Sequence, residues 1–505
     1  MSTPRYFTVP GSNRQYDLDK ILAATLLPLV MALLQVSSVN TLLPAVQDSL
    51  AASPSGIQWV LAGYALVYGI VLVPAGRIGD LVGRSLMFVI GLLIFCAGCV
   101  GCASVNSIGA LNVMRVIQAV GAGVFSPQVT GMIQQYFDGH TRARAYGLMG
   151  VTISASVAAG PLISGLMVAA FGQDPGWRYA FAVNAPLGLI GIGFALRWLP
   201  FARERRTIGP DKASAAKAYR EQEIAAGRKP SRKRGSKLDL DPIGMIGLSI
   251  GIFLIMIPFT ASFPYRYLLL PTAVVVLAAW FWWEYYYERS GHIPMVELKL
   301  FKISSFSYCT TLCAVLFLGS TSIFVLLALF VQQGLGQSAL FTGLIGLPNA
   351  AVSGYASLWS AKKAISHGRL LQVWALLITI VAISATIGTA YLIVKFDLAP
   401  AWICIPITPL GIGLGIMGSV NTTQAMLEVP VAHGGTAGGI AQTSQRISTA
   451  IGNSVVTAVL FASGAKFGAS KAAWFDGFAV ANLLIIAFAA LATVIAIVYY
   501  QKRPR

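Results

Sequence analysis

Long apolar stretches, each bounded by charged residues, Gly or Pro, constrain the fold of this chain more than any other feature. A helix needs about 20 apolar residues to cross the roughly 30 Å hydrocarbon core of a bilayer. Fourteen stretches reach that length, near residues 21–43, 56–75, 85–104, 109–131, 144–170, 179–199, 242–262, 267–287, 306–332, 339–360, 371–394, 400–427, 435–463 and 477–500. The sequence therefore predicts an all-α integral membrane protein with 14 transmembrane helices.

The composition excludes the soluble classes of protein. Hydrophobic residues make up 56% of the 505 positions and charged residues only 11%, which leaves too little polar surface for a soluble or disordered chain. The formal charge of +18 does not indicate nucleic-acid binding, because such a chain has no soluble face for a phosphate backbone. We expect the lipid bilayer, and not a nucleic acid, to surround this chain.

The distribution of Lys and Arg predicts the orientation in the membrane. An even number of spans places both termini on one side, and cytoplasmic loops carry the excess of positive charge. With cytoplasmic termini, two of the 36 Lys and Arg lie within spans, and five lie in external loops, namely Arg178, Arg266, Lys395, Lys466 and Lys471. We therefore expect a multi-pass protein with both termini in the cytoplasm.

A faint internal repeat predicts the domain organisation. The loop after the second span closes on Gly83-Arg84 and the loop after the tenth closes on Gly368-Arg369, an offset of 285 residues. Two six-helix halves separated by an inserted helix pair would give this offset. The predicted parts are a cytoplasmic segment (1–20), an N-terminal six-helix bundle (21–199), a basic cytoplasmic loop (200–241), the inserted pair (242–287), a cytoplasmic linker (288–305), a C-terminal six-helix bundle (306–500) and a basic tail (501–505). The basic loop is either a solvated tether or a contact for anionic lipid headgroups.

Three short motifs carry a resemblance to a known family. Residues 76–84 read GRIGDLVGR, residues 115–121 read RVIQAVG, and residues 156–165 read SVAAGPLISG. In these motifs the chain resembles the major facilitator superfamily, in particular its fourteen-span drug:proton antiporter branch. The resemblance implies two six-helix bundles plus two additional helices, alternating access around a central cavity, and a bacterial cytoplasmic membrane. It also implies no catalytic residue, no organic cofactor and no enzymatic activity.

The first motif predicts a gate at the cytoplasmic surface, formed by Gly76, Arg77, Asp80, Gly83 and Arg84. The glycines allow a sharp turn between two helices, and the charged groups can pair with one another or with helix ends. Our hypothesis is that this cluster is a latch that holds the cytoplasmic halves together in one state. The alternative is a solvated surface turn.

The third motif, with Gly160, Pro161 and Gly165, predicts either a bend or a close helix contact within a span. The same small residues would serve both purposes, so the sequence leaves the two open. The association of this motif with exporters comes from the resemblance, because spacing alone gives no direction of transport.

Polar side chains within the spans predict a substrate cavity. A charged side chain in a span is costly unless it faces water or finds partners, so Arg115 is the first candidate, with Gln118 one turn later. The full candidate set is Gln35, Asn40, Tyr64, Arg115, Gln118, Asn421, Gln442 and Arg446. Polar bonding between packed helices is the alternative explanation for any single one of them.

Proton coupling requires a group that can change its charge, and the sequence departs from the family here. The antiporter branch has an acidic residue in span 1 where this chain has Gln35, and none of the 18 acids falls near a bilayer midplane. The remaining candidates are Asp48, Asp80, Glu428 and Asp476. A cavity with arginines and no carboxylate would also attract anions.

These observations and the resemblance together predict a monomeric secondary transporter of the multidrug-efflux type. It would export hydrophobic or amphiphilic small molecules in exchange for protons. An exporter of an anionic metabolite or an acidic lipid is the second interpretation. A membrane sensor or scaffold that transports nothing is the third. A metal site at Cys96, Cys99 and Cys102 is not expected, because no His or carboxylate is nearby to complete it.

Overall fold

The structure, a computed structural model, describes residues 6–8, 15–201, 240–261, 263–290, 292–464 and 470–501. Most of the predicted basic loop (200–241) and of the predicted tail (501–505) lies outside the described residues. The described chain begins with an antiparallel hairpin of β1 (Tyr6–Thr8) and β2 (Gln15–Asp17). Helices and short connections make up the remainder of the described chain, so the all-α fold is confirmed.

Helical segments cover all of the predicted apolar stretches, and we number them in chain order. The first six are α1 (Leu18–Ser49), α2 (Pro54–Val82), α3 (Arg84–Ser104), α4 (Ile108–Tyr136), α5 (Gly139–Phe171) and α6 (Gln173–Trp198). The inserted pair is α7 (Pro242–Thr260) and α8 (Arg266–Arg289). The last six are α9 (Ser304–Gly334), α10 (Ala339–Ala361), α11 (Gly368–Phe396), α12 (Pro400–Ala425), α13 (Gly434–Ala462) and α14 (Lys471–Gln501).

Twelve of these segments are long and apolar enough to cross a membrane. The two that are not among the twelve are α10 and α13, although they have 23 and 29 residues. The N-terminal part of α13 is rich in Gly, Thr, Ser and Gln, and the helix contains Arg446. Both features lower the hydropathy of α13. The total of 14 transmembrane helices therefore stays a prediction.

One apolar core lies mainly within helices α1–α6, with some side chains from α9 and α13, and another lies within helices α9–α14. In the first core, Phe95 of α3 meets Phe125 of α4 edge to face, with ring centroids 5.7 Å apart. In the second, Phe330 of α9 stacks on Phe478 of α14 at 4.6 Å. Aromatic pairs in these geometries add to the stability that burial of the rings already provides. We call the two groups of six helices the first and second halves.

Helix α7, the first of the predicted inserted pair, packs along the seam between the two halves. Ile252 and Met256 of α7 lie in one apolar cluster with Leu66 of α2, and Ile447 of α13 packs against the same cluster. Because α2 belongs to the first half and α13 to the second, α7 contacts both.

The described chain begins and ends at the same end of the bundle, where α4 and α12 also end. Phe7 of the hairpin, just before α1, packs edge to face on Tyr136 at the end of α4, at 5.3 Å. Tyr499, near the end of α14, donates to Gln424 Oε1 near the end of α12, at 3.4 Å. We call this the inner end and the opposite one the outer end.

Candidate functional site

Asp80, at the inner end of α2, caps the beginning of α13. The carboxylate is only 3% exposed, and Oδ1 accepts from the backbone N–H of Gly435 at 3.0 Å. Its other oxygen accepts from the backbone N–H and from the hydroxyl of Thr436, both at 2.8 Å. A helix N-terminus offers unsatisfied N–H groups and a positive partial charge, so a carboxylate is stabilised there. Asp80 thereby joins the first half to the second.

Arg84 holds this carboxylate in place and adds its own bond across the seam. It donates to Asp80 Oδ1 from Nε at 2.9 Å and from Nη2 at 2.6 Å. It also donates to the carbonyl of Gly131 at 2.7 Å and, in the second half, to the carbonyl of Val431 at 2.6 Å. With both groups nearly inaccessible to solvent, the geometry differs from that of a solvated surface turn.

The other predicted gate residues have distinct places. A Cβ atom on Gly76 would collide with the carbonyl of Gly435, so the two backbones touch. Gly83 has φ +126°, a conformation that side chains disfavour. Arg77 is buried and lies within electrostatic range of Glu284 of α8. The structure thus brings three of the five residues, Gly76, Asp80 and Arg84, to the start of α13 and its preceding turn.

Further hydrogen bonds join the halves at the inner end. Gln134 of α4 donates to the carbonyls of Met426 and Val429, at 2.9 and 2.8 Å. On the opposite side of the bundle, Ser357 of α10 donates to the carbonyl of Gly147 of α5 at 3.0 Å. The inner seam is therefore closed on two sides of the bundle axis.

The seam between α5 and α10 changes along its length. At the inner end, a Cβ on Gly147 would meet Ala361, and halfway along the helices Ser154 and Ser353 share a hydrogen bond of 2.9 Å. Gly165 lies eleven residues, about three turns, beyond Ser154, and it is therefore on the same face of α5. A Cβ there would meet no heavy atom within 4 Å, and the same holds for Gly343 on α10. This seam is packed on its inner half and open on its outer half.

Polar side chains from both halves meet in the middle of the bundle. Tyr68 of α2 donates to Ser126 of α4 at 2.9 Å, and Ser126 donates to Gln442 Oε1 of α13 at 2.7 Å. One residue further along α13, Thr443 donates to the carbonyl of Gly69 at 3.1 Å. Of the predicted cavity residues, Gln442 is thus the one that bonds across the seam.

Arg115 is 2% exposed, and its guanidinium forms hydrogen bonds within the first half. Its Nε donates to the carbonyl of Val60 at 3.1 Å, and its Nη1 donates to Gln118 Oε1 at 2.6 Å. Gln118 in turn contacts the sulfur of Cys99 at 3.0 Å. In this conformation Arg115 and Gln118 therefore do not line open space, and their part in a substrate cavity stays a prediction.

Two arginines and two tyrosines form a continuous stack that crosses the seam. The guanidinium of Arg115 lies 4.2 Å from the ring centre of Tyr64, which stacks on Tyr68 at 6.0 Å with only 10° between the ring planes. The guanidinium of Arg446, from the second half, lies 4.8 Å from the ring centre of Tyr68. Cations over aromatic faces are stabilised by the ring quadrupole.

The other predicted cavity residues are dispersed. Gln35 is fully buried and accepts from Asn184 of α6 at 2.6 Å. Asn40 is exposed, on the outer half of α1. Asn421 is buried within the second half, where it accepts from Gln372 at 2.9 Å. Asn421 therefore sits among packed helices, away from the Arg–Tyr stack.

Gly160 is a point of close approach between α1 and α5. A Cβ there would collide with Ser37 Oγ, and Ser38 donates to the Gly160 carbonyl at 2.9 Å. Helix α5 continues through Pro161 without interruption. Close packing thus explains Gly160 directly, and Gly165 faces open space.

The candidate proton carriers lie at the ends of the bundle. Asp48, Asp476 and Glu428 are exposed, and Glu428 accepts from Ser305 at 3.0 Å. Asp80 is bonded to Arg84 and to the start of α13. Glu284 of α8, which is 0% exposed, was not among the predicted residues. Its position inside a predicted apolar stretch, between two aromatic residues, was the available signal.

The two helical halves meet at a polar centre, and the bundle is closed at one end and open along an outer seam. This arrangement is typical of membrane transporters that work by alternating access. The family model described as Major Facilitator Superfamily matches residues 26–453. The chain belongs to this superfamily, whose members are transporters.

Similar proteins support the assignment. A probable actinorhodin transporter of Streptomyces coelicolor is 28% identical over 90% of this chain and 73% of its own length. The methylenomycin A resistance protein of Bacillus subtilis is 25% identical over 94% of this chain and 93% of its own. The crystal structure of the human organic anion transporter MFSD10 shares the fold, with a TM-score of 0.63 and 13% identity over 95% of this chain and 99% of that one.

Proposed function

We propose that this chain exports hydrophobic or amphiphilic small molecules from the cytoplasm in exchange for protons. Its relatives include an antibiotic resistance protein and a probable transporter of an antibiotic. The observation that carries the proposal is the capped gate, in which Asp80 and Arg84 bind the start of α13 while the outer α5–α10 seam is open. Such a state can release a substrate outward.

Flux measurements in proteoliposomes test this proposal. Reconstituted protein is given fluorescent amphiphiles of either charge, with and without an imposed pH gradient. We expect flux that a pH gradient accelerates and that the Asp80→Asn variant reduces, whereas Asp138→Asn, at a solvent-exposed side chain that pairs with the mostly buried Arg142, leaves it unchanged. Absence of flux for every compound would favour the sensor or scaffold. Flux that ignores the gradient would contradict proton exchange.

An exporter of anions is the second candidate, and the Arg–Tyr stack favours it. The stack places two guanidiniums and two aromatic faces in line, and neither Asp nor Glu belongs to it. Such a surface complements a planar molecule with an acidic group, through charge and stacking. Arg446 is the accessible member, because Arg115 is sealed.

Replacement of Arg446 separates the two substrate classes. If anions are the substrates, Arg446→Gln should lower anion flux at least tenfold and leave cation flux in place, while Arg144→Gln on the surface of α5 should change neither. Equal anion flux in the Arg446→Gln and wild-type proteins would rule out this role for the stack.

The remaining assignments are part of the same proposal. We place the protein in a bacterial cell membrane as a monomer with the inner end, and so both termini, in the cytoplasm, because the Lys and Arg excess favours that side. The two packed cores and the seam position of α7 support the division into two halves and an inserted pair.

A further inference from the structure

Two buried carboxyl groups meet at the inner end of the inserted pair. Asp241 precedes α7 and is 1% exposed, while Glu284, near the end of α8, is 0% exposed. A Cβ atom on Gly244 would collide with Asp241 Oδ2 and with Glu284 Oε1 alike. The two carboxyl groups therefore border the same small space.

Asp241 has the hydrogen bonds that a charged carboxylate needs. Its Oδ1 accepts from the backbone N–H of Gly244 and from the indole N–H of Trp283, both at 3.0 Å. Its Oδ2 accepts from the backbone N–H of Met295 at 3.3 Å. Three donors and a helix N-terminus stabilise the negative charge at this residue.

Glu284 lacks such bonds. Its Oε2 accepts a long bond, 3.4 Å, from the backbone N–H of Val296, and the indole of Trp280 lies beside the carboxyl group. Its Oε1 accepts no well-formed hydrogen bond among the described residues. A buried carboxylate oxygen without a donor is unfavourable when it is charged, and a second carboxylate beside it makes the charge more unfavourable still. A proton on Oε1 removes both penalties.

Among the described residues, the charged groups around the pair do not balance two carboxylates. Arg77 of α2 lies within electrostatic range of Glu284. One turn further along α8, Glu288 pairs with Lys299 of the linker at 2.7 Å. One arginine facing two carboxylates leaves a buried net charge of one, and a single proton neutralises it.

We propose that Asp241 and Glu284 form a site that binds one proton from cytoplasmic water. The proton is bonded to Glu284 Oε1, which donates a hydrogen bond to Asp241 Oδ2. Both carboxyl groups also accept hydrogen bonds from the backbone of the segment at Met295 and Val296. That segment packs on Val73 of α2, and Ile440 of α13 packs against the same cluster. When the proton is lost, the two carboxylates repel each other and the segment loosens from the closed inner seam.

Infrared spectroscopy of the full-length protein in liposomes tests proton binding directly. A protonated carboxylic acid has a carbonyl stretch that a carboxylate lacks. We expect wild-type protein at neutral pH to show this band in a position typical of a buried acid, and titration to high pH to abolish it. Absence of the band in the wild type at neutral pH would overturn the proposal without any variant.

Variants assign the band to residues. Glu284→Gln should lose it, whereas Glu288→Gln, a matched control one turn away on the surface, should keep it. Asp241→Asn should also lose the band at neutral pH, because a single carboxylate beside Arg77 is balanced without a proton. An unchanged band in Glu284→Gln would contradict the assignment.

The effect on transport rests on the proposed function, whereas proton binding does not. If the site regulates the gate, wild-type flux should fall as cytoplasmic pH rises, and Glu284→Gln, which resembles the protonated state, should lose that dependence. If the Glu284 band is present but the flux of the wild-type and Glu284→Gln proteins depends on pH in the same way, only the regulatory part of the proposal is refuted. Absence of flux in both would refute the proposed function and leave the proton site standing.

Discussion

Replacement of Asp80 by Asn should open the inner end of the protein. Asn keeps one acceptor oxygen but presents an amide NH2 group in place of the other. That NH2 would face donors, either the N–H and hydroxyl of Thr436 or the guanidinium of Arg84. The variant loses two hydrogen bonds to a charged group in the first orientation and three in the second, and in both it leaves Arg84 buried without its counter-ion.

The size of the effect follows from these contacts. Hydrogen bonds to charged groups contribute about 1.5–3 kcal/mol each, and loss of one partner of a buried ion pair costs about 3–5 kcal/mol. Part of this cost is recovered in the inner-open state, where water reaches both groups. We expect a net shift of about 3 kcal/mol against the closed state, which corresponds to roughly a 100-fold change in the equilibrium.

Distance measurements between spin labels can detect this shift. Labels at His140, at the start of α5, and at Ser366, before α11, lie on exposed positions of different halves at the inner end. Alanine or serine replaces the six native cysteines in this background. We expect a short distance in the parent and an added long distance in Asp80→Asn, with Asp138→Asn as the control. Identical distance distributions in all three proteins would refute the latch.

Two further predictions concern stability, measured as the thermal unfolding midpoint in detergent. Gly160→Ala should lower stability by about 1–3 kcal/mol, because the added methyl group collides with Ser37, whereas Gly165→Ala adds its methyl group to open space and should change little. Arg115→Lys should cost about 1–3 kcal/mol, since an ammonium cannot reproduce the bonds to Val60 and Gln118, and an unchanged midpoint would contradict that geometry.

Hydropathy was sufficient to predict the helices, and one motif identified two residues that contact the second half. Apolar length determines where a chain can cross a bilayer, so all predicted stretches are helical. Asp80 and Arg84 were identified because residues 76–84 resemble a motif of the superfamily and place charged groups beside glycines at a helix end. Their partner Thr436 was not predicted, since it lies 356 residues away and half of its contact is made through the backbone.

The sequence does not determine which polar side chains face a cavity, because side-chain direction depends on packing. Arg115 and Asn421 are polar residues in apolar helices, and both have partners within their own half. Periodicity does not show which face of a helix meets a neighbour from another part of the chain. Glu284 was overlooked for a related reason: it is near a helix end, where water is expected, but Met295 and Val296 fold back and cover it.

The location of each polar contact determines what its loss should do. Contacts across the seam, such as Tyr68 and Ser126 with Gln442, must break whenever the inner end opens, so their loss changes the balance between two folded states. Contacts within one half, such as Arg115 with Gln118, persist in both states, so their loss lowers the stability of both equally. Seam variants should therefore change label distances more than the unfolding midpoint, and variants within a half should do the reverse. A seam variant that lowers the midpoint without altering the distances would show that the seam is a permanent interface and not a gate.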